Sequence, residues 1–396
     1  MIVLYALVVS ACLALLGCGV LEQYRHHRNL HSIPIRVVVN GIRGKSSITR
    51  LCAGALRGGG LVTVAKTTGT AARFIPPDGV DEQIHRRFGL ANVIEQVGIV
   101  RRAASFRPDA LVIECMAVLP DLQEINERKL IHSTICVICN VREDHVDEMG
   151  PTLEDIARSL SRSMPEGGVC ITAEKEYVHI LREEARKRGC RLVEVESDDI
   201  GDEILAEFPF ITFKENIAIA LAVAELCGVD YRAALRGMIE SPADPGTVAV
   251  KEYRYRGTVI TVANLFAAND PESTRMNVEL LTARGLIGRP LNVIVNCRPD
   301  RVERNGQMGA LTSALDPERI ILIGEPTRSA RVTVPDQLAV RIADLGGRLD
   351  FDRVLAAIAS DDDGEASVVT IGNIHGNGEI LLHAFETLDH NPLEAP

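Results

Sequence analysis

Hydrophobic and polar positions divide the chain into three regimes. Met1–Leu21, MIVLYALVVSACLALLGCGVL, carries no charged residue, and as a helix it spans roughly 31 Å, about the thickness of a bilayer core. From Ile35 onward, short apolar runs alternate with helical periodicity. Ile35–Val39, Leu61–Val64, Ala110–Ile113, Thr134–Cys139, Val169–Thr172 and Arg191–Val195 predict buried strands, with helices such as Thr152–Ser163 and Glu215–Cys227 between them. SPADPGT, Ser241–Thr247, then interrupts the pattern with two prolines and a glycine. Beyond it the alternation resumes at Thr258–Ala263, Leu291–Val295, Ile320–Ile323 and Val368–Ile371. The expected organisation is a transmembrane helix over 1–21, a juxtamembrane linker over 22–33, and two α/β domains over 34–246 and 247–396, each a mostly parallel sheet covered by helices.

Charge decides how the first segment is read. A lipoprotein signal ending at Cys18 in LLGC, or an export signal, wants basic residues before the apolar run, whereas Arg25 and Arg28 follow it. That order favours a single-pass cell-membrane anchor with the remaining body on the cytoplasmic side. The net charge of -11 and the absence of Trp argue against a nucleic-acid partner, leaving any contact with an acidic polymer to a local groove. Ten cysteines without framework spacing fit a reducing compartment. Cys136 and Cys139 in TICVICN are three apart on a predicted strand, face opposite sides, and are expected in the core rather than on one metal. SDDDGE, Ser360–Glu365, predicts a solvated loop.

The chemistry begins at RVVVNGIRGKSSITRL, Arg36–Leu51, where a strand turns through two glycines into a helix. Backbone N–H groups in such a turn wrap phosphates. Asn40, Gly41, Arg43, Gly44, Lys45, Ser46 and Ser47 are the candidate ATP loop, with Lys45 reaching the terminal phosphates and the Ser46 hydroxyl ligating Mg²⁺. Val39 holds the place of the first glycine of the general consensus, so the loop is a shortened one; the alternative is an ordinary strand-to-helix turn. Glu114 ends the strand in ALVIECMAV, where a parallel sheet presents its ligands, and is a candidate second Mg²⁺ ligand; a helix cap or ion pair is its alternative. Asn140, Asp144, His145 and Asp147 in VICNVREDHVDEMG follow another strand end, and His145 flanked by carboxylates is a candidate ligand for a second Mg²⁺.

NGIRGKSSITR, the strand-end Glu114 and NVREDHVD resemble the ATP and Mg²⁺ motifs of the Mur ligase family, which joins amino acids to a carboxylate through an acyl phosphate. FKENIAIALAVAEL is similar to the family's adenine-side helix, with Asn216 at its asparagine position. FAANDPEST, NCRPDRVER and IGNIHGNGE resemble the opening, Arg/Asp loop and closing Gly-His turn of the family's C-terminal domain. The resemblance runs from Ile35 to near the end, while the family's usual N-terminal nucleotide-sugar domain is replaced by the membrane segment. It implies a Mur-ligase-like P-loop domain on a parallel sheet, followed by a smaller Rossmann-like α/β domain.

AKTTGTAARF, ECMAV and EDHVDEMGPTLEDIA are similar to the branch of that family that elongates γ-linked glutamate chains. The implied activity is ADP-forming amide ligation with ATP and Mg²⁺, catalysed through Lys45, Glu114 and His145. Glutamate and poly-γ-glutamate are the implied substrates, and small membrane-protein subunits for synthesis and export the implied partners, with a homo-oligomer left open. Lys66, Thr68, Thr70 and Arg73, together with Arg298, Asp300, Arg301, Arg328 and His375, are candidate substrate contacts; surface ion pairing is the alternative for the arginines. Two departures from the family stand out: Leu160 occupies the place of a lysine that relatives carbamylate, and Thr247 follows Pro245-Gly246 where a linker arginine is usual. A Mur-type ligase for another amino acid and a membrane-anchored P-loop ATPase driving assembly or export are the rival functions.

Overall fold

The computed structural model describes residues 2–68, 72–84, 92–243, 248–266, 268, 270–358 and 364–391. Thr70, Thr247, most of SPADPGT after residue 243 and most of SDDDGE therefore lie outside the described residues. Two compact units emerge, Met1–Pro245 and Gly246–Pro396.

Unit 1 starts with α1 (Ile2–His31), a continuous 30-residue helix. The expected linker over 22–33 is thus corrected: through His31 it is the last turns of that helix. The reason is burial. From Val3 to Leu21 the apolar side chains are exposed, but His26 and Leu30 are 3% and 2% exposed, and Leu30 and Ile33 share a core with Leu111, Ile113 and Ile131. Arg36 then donates to the carbonyls of Ile33 (2.6 Å) and His132 (2.8 Å), fixing the corner that follows the helix.

The sheet of unit 1 comprises β1 (Ile35–Asn40), β2 (Thr63–Thr67), β3 (Arg73–Ile75), β4 (Glu82–Gln83), β5 (Ala110–Glu114), β6 (Ile135–Ile138), β7 (Val169–Thr172) and β8 (Arg191–Glu194), in the order β4-β3-β2-β5-β1-β6-β7-β8. All pairings from β2 to β8 across the sheet are parallel; β3 and β4 extend it antiparallel. Central β1 is covered on both faces, and for that reason Val37, Val38 and Val39 form an unbroken β-branched run. Val37 and Val39 face α2 (Lys45–Gly58) and the helix Lys214–Leu226, while Val38 faces α3 (Glu95–Ser105) and the helix after β5. Cys136 and Cys139 are buried in different cores, as alternation on β6 requires. α2 meets the helix Tyr231–Ile239 backbone to backbone: a Cβ on Gly58 would stand 2.2 Å from the Ala233 carbonyl.

Unit 2 carries β9 (Ala249–Tyr255), β10 (Thr258–Asn264), β11 (Leu291–Cys297), β12 (Arg319–Gly324), β13 (Ile342–Asp344), β14 (Glu365–Gly372) and β15 (Asp389–Asn391), ordered β13-β12-β11-β14-β10-β9-β15. Its central five strands are parallel, and β9 and β15 close one edge antiparallel. One face buries Ile294, Ile323, Leu355, Leu381 and Phe385.

Candidate active site

Adjacent placement of β5, β1 and β6 brings three strand ends together, and the site grows from them. β1 stops at Asn40 and the chain turns into α2. Gly41 takes φ 133°, and a Cβ there would lie 2.8 Å from Cys139 Cβ and 2.9 Å from Cys139 N, so only glycine passes the end of β6. Asn140 clamps the turn from that side: its Oδ1 accepts the Arg43 N–H (3.0 Å) and its Nδ2 donates to the Arg43 carbonyl (3.1 Å). Lys45 opens α2, Ser47 sits half-buried in its first turn, and the loop amides therefore converge with a helix N-terminus, an arrangement that attracts phosphate. The Lys45 ammonium lies along the loop, donating to the carbonyls of Gly41 (2.7 Å) and Ile42 (3.2 Å). Asn216, near the start of Lys214–Leu226, borders the same turn; its Oδ1 would be 3.6 Å from a Cβ on Gly44.

Glu114 is 2% exposed at the end of β5. Its Oε2 accepts the Ser46 hydroxyl (2.7 Å) and the Thr68 N–H (2.7 Å), so α2, β2 and β5 meet at one oxygen. Two hard oxygen donors at this spacing suit one hard divalent cation. Thiols flank the site without serving as nucleophiles. Burial pushes Cys115 up to about 12 and raises Cys139 further, so both stay neutral.

His145 stands differently. Asp144 reaches the loop through an ion pair to Arg43 (2.9 Å) and accepts the His145 N–H (3.0 Å). The imidazole is 45% exposed, 3.8 Å from the carboxylates of Asp144 and Glu148, at a residue with φ 53°; Asp147 is exposed beyond it. Among the described residues no group of three His, Cys, Asp or Glu side chains is gathered for a metal. Leu160 is fully buried in the core with Ile156 and Met164.

Lys66 is corrected as a substrate contact. It is fully buried on β2, its Nζ 3.1 Å from Glu95 Oε1 and 3.7 Å from Met116 Sδ. Arg73 belongs to β3, opposite Thr67, with its Nε buried and without a hydrogen-bond partner among the described residues. Of that motif, Thr68 alone is seen to touch the site, through its backbone. In unit 2, Arg298 donates to Asn373 Oδ1 (3.1 Å) and to Asp300 (2.9 Å), and His375 meets Glu379 (2.8 Å). Arg298 and His375 line a cleft of about 770 Å³ at the carboxyl ends of β11, β12 and β14, joined there by Arg348 and Asn377. Arg301 and Arg328 are exposed and outside that lining.

Sequence reasoning missed Gln123, Ser163 and Arg348. Fully buried Gln123 and Ser163 accept both N–H bonds of the Asn40 amide, at 2.8 and 3.1 Å. Both lie in helical stretches whose polar residues read as solvated, so no local signal marks them.

Comparison with known proteins agrees with this geometry. The Mur ligase middle domain matches residues 39–224, and the poly-gamma-glutamate synthase CapB C-terminal domain matches residues 250–388. Solved structures share the fold. MurF from Acinetobacter baumannii superposes with a TM-score of 0.67 at 14% identity, covering 93% of this chain and 80% of that one. The bifunctional folylpolyglutamate synthase/dihydrofolate synthase of Yersinia pestis, complexed with AMPPNP and a Mn ion, gives 0.64 at 14% identity and 92% of each chain. Fold and phosphate loop together thus define a Mur-type ligase. The capsule biosynthesis protein CapB of Bacillus anthracis is 40% identical over 371 residues, 92% of this chain and 79% of that protein. The PGA synthase CapB of Bacillus subtilis (strain 168) is 36% identical over 383 residues, 95% of this chain and 96% of that protein. The chain belongs to the CapB family of poly-γ-glutamate synthases.

Proposed function

We propose that this ATP-dependent amide ligase extends poly-γ-glutamate through an acyl phosphate formed at the loop 40–47, as a subunit beside membrane-protein partners. The observation that carries the reading is the convergence of Ser46 and Glu114, 2.7 Å apart, beside the loop amides and Lys45. A carboxylate does not acylate an amine at neutral pH, so a γ-carboxylate oxygen first attacks the γ-phosphorus of ATP and the bond to the β-phosphate oxygen breaks, releasing ADP. The amine of the other glutamate then attacks the acyl carbon, phosphate leaves, and the amine gives up a proton to water. Loop amides and Lys45 hold the phosphates in line for this transfer, where positioning and charge neutralisation dominate. Ser46 and Glu114 would hold Mg²⁺, whose contribution when bound is to neutralise phosphate charge. His145, with Asp144 steering it toward the loop, is the candidate for a second ion.

A glutamate carboxylate needs cations, and the candidates in the unit 2 cleft are Arg298 and Arg348. α1 anchors the chain, and the order of apolar run and arginines supports a cytoplasmic body that draws on cytoplasmic ATP. The test supplies membranes containing the full chain with ATP and one amino acid at a time. Glutamate-stimulated ADP and phosphate are expected; AMP and pyrophosphate would exclude the acyl phosphate, and stimulation by another amino acid would exclude the substrate.

A further inference from the structure

The first residue of the phosphate loop is held from below by a helix that the mechanism above does not use. α4 (Pro120–Ile125) runs without a break into a π-helical turn, Asn126–Ile131. At one end, Gln123 is fully buried and fully engaged: its Oε1 accepts from Asn40 Nδ2 (2.8 Å), and its Nε2 donates to the Val118 carbonyl (2.7 Å) and to Ser159 Oγ (3.1 Å). Asn40 in turn accepts the Gly41 N–H with its Oδ1 (2.9 Å), so Gln123, together with Ser163 on the second amide hydrogen, orients Asn40 and the first loop amide. At the other end, the Leu130 carbonyl meets His26 Nε2 of α1 at 2.9 Å, and the His132 carbonyl accepts from Arg36. One short helix therefore touches both the phosphate loop and the seat of the membrane helix.

The stretch between these contacts is not at rest in hydrogen-bonding terms. Asn126 is fully buried with neither amide atom partnered, and Glu127 Oε2 is buried and unpartnered, among the described residues. A π turn and buried polar groups without a protein partner set this segment apart from the regular helices around it. A one-residue register change there moves one end relative to the other by about 1.5 Å.

We infer that Gln123 is a positioning residue for the phosphate loop and that the helix 120–131 couples loop geometry to the seating of α1. This rests on reading 40–47 as the ATP loop. Loss of the Gln123 acceptor leaves the Asn40 amide held only by Ser163, loosening the Oδ1 that meets Gly41, and loss of the His26 contact loosens the far end of the same helix.

The experiment measures binding of a fluorescent ATP analogue with Mg²⁺ to the full chain in lipid nanodiscs, alongside thermal unfolding. Gln123→Leu should weaken nucleotide binding roughly tenfold. Gln123→Glu, which keeps the acceptor for Asn40 but faces the Val118 carbonyl with an oxygen instead of an N–H, should recover binding only as its carboxyl is protonated, and so more at pH 5 than at pH 8. His26→Ala should weaken binding by about threefold in the wild-type background and by nothing further in Gln123→Leu, since both act through one helix. A Gln123→Leu protein that melts earlier but binds nucleotide normally would make the residue merely structural. Independent, additive effects of the two substitutions would remove the coupling. Failure of the wild type itself to bind the nucleotide would instead overturn the assignment of the loop, a result distinct from either.

Discussion

The two units present their functional side chains at the carboxyl ends of parallel strands, yet they hold them in opposite ways. In unit 1, Glu114 is 2% exposed and locked to Ser46 and Thr68. In unit 2, Arg298 sits in an open cleft, paired with an Asp300 whose side chain is 53% exposed, and the His375 side chain is 57% exposed. A buried carboxylate held by two hydrogen bonds is preorganised and costs little to orient when charge develops, whereas exposed ion pairs contribute little to stability and rearrange at little cost. Under the proposed function, that contrast suits unit 1 to stabilising a reaction and unit 2 to exchanging a ligand.

The strongest way to break that contrast is in unit 1. Lys45→Ala and Glu114→Gln should each reduce ADP release by about a thousandfold or more while the chain remains folded by circular dichroism. Residual activity near wild type in either would show that the locked half is not where phosphoryl transfer occurs.

The next effect concerns what locking costs. Burial pushes the Glu127 carboxyl up from its ordinary 4.5 to about 7, against the opposing hydrogen bond from the Ser133 N–H (2.8 Å). Folding therefore favours its protonated form, and unit 1 should lose stability as pH rises from about 4.5 to about 7, by roughly 3 kcal/mol in total, with no further loss above that. Glu127→Gln keeps an acceptor for the Ser133 N–H and removes the charge. Urea midpoints at pH 5 and pH 8 should differ in the wild type by more than in the variant; equal differences would mean that this carboxyl is solvated.

In unit 2 a smaller and different response is expected. Arg298→Ala and Arg348→Ala should each raise KM for glutamate by about tenfold, leave kcat within about twofold, and shift stability by no more than roughly 0.5 kcal/mol. A collapse of kcat with unchanged KM would place these arginines among the transition-state groups and erase the contrast. The smallest effect is on metal demand. With Leu160 in the core, no lysine stands there to be carbamylated, so bicarbonate should leave the Mg²⁺ dependence of activity unchanged, while His145→Ala should raise the Mg²⁺ needed by a few-fold. Stimulation by bicarbonate would point to another lysine.

What was legible in the sequence follows burial. β1, β5, β6 and β7 read as apolar runs because both of their faces are covered, and β10, β11, β12 and β14 read likewise in unit 2, though each of these extends past its apolar run. β2 was read two residues early, as Leu61–Val64, since Gly59-Gly60 ends α2 late and the buried Lys66 hides the rest of the strand among polar residues. β3, β9 and β13 have exposed or antiparallel positions and carry no such run. Within the site, the loop and Glu114 stood out by their place after strands. Gln123 and Ser163 did not, because a buried polar side chain on a helix is spelled like an exposed one. The linker over 22–33 was misread for the converse reason: His26, Leu30 and Ile33 are too widely spaced among charges to announce a buried face.

That docked helix end carries a mechanical consequence. A body hung on a flexible tether swivels freely and samples a hemisphere, whereas one joined through a bonded corner at Arg36 turns only as its helix turns. Where α1 spans a membrane, unit 1 would then keep one face toward the bilayer while it rotates about the membrane normal. Encounters with other membrane components become collisions between fixed profiles, in which torque on the helix is torque on the strand that carries the phosphate loop.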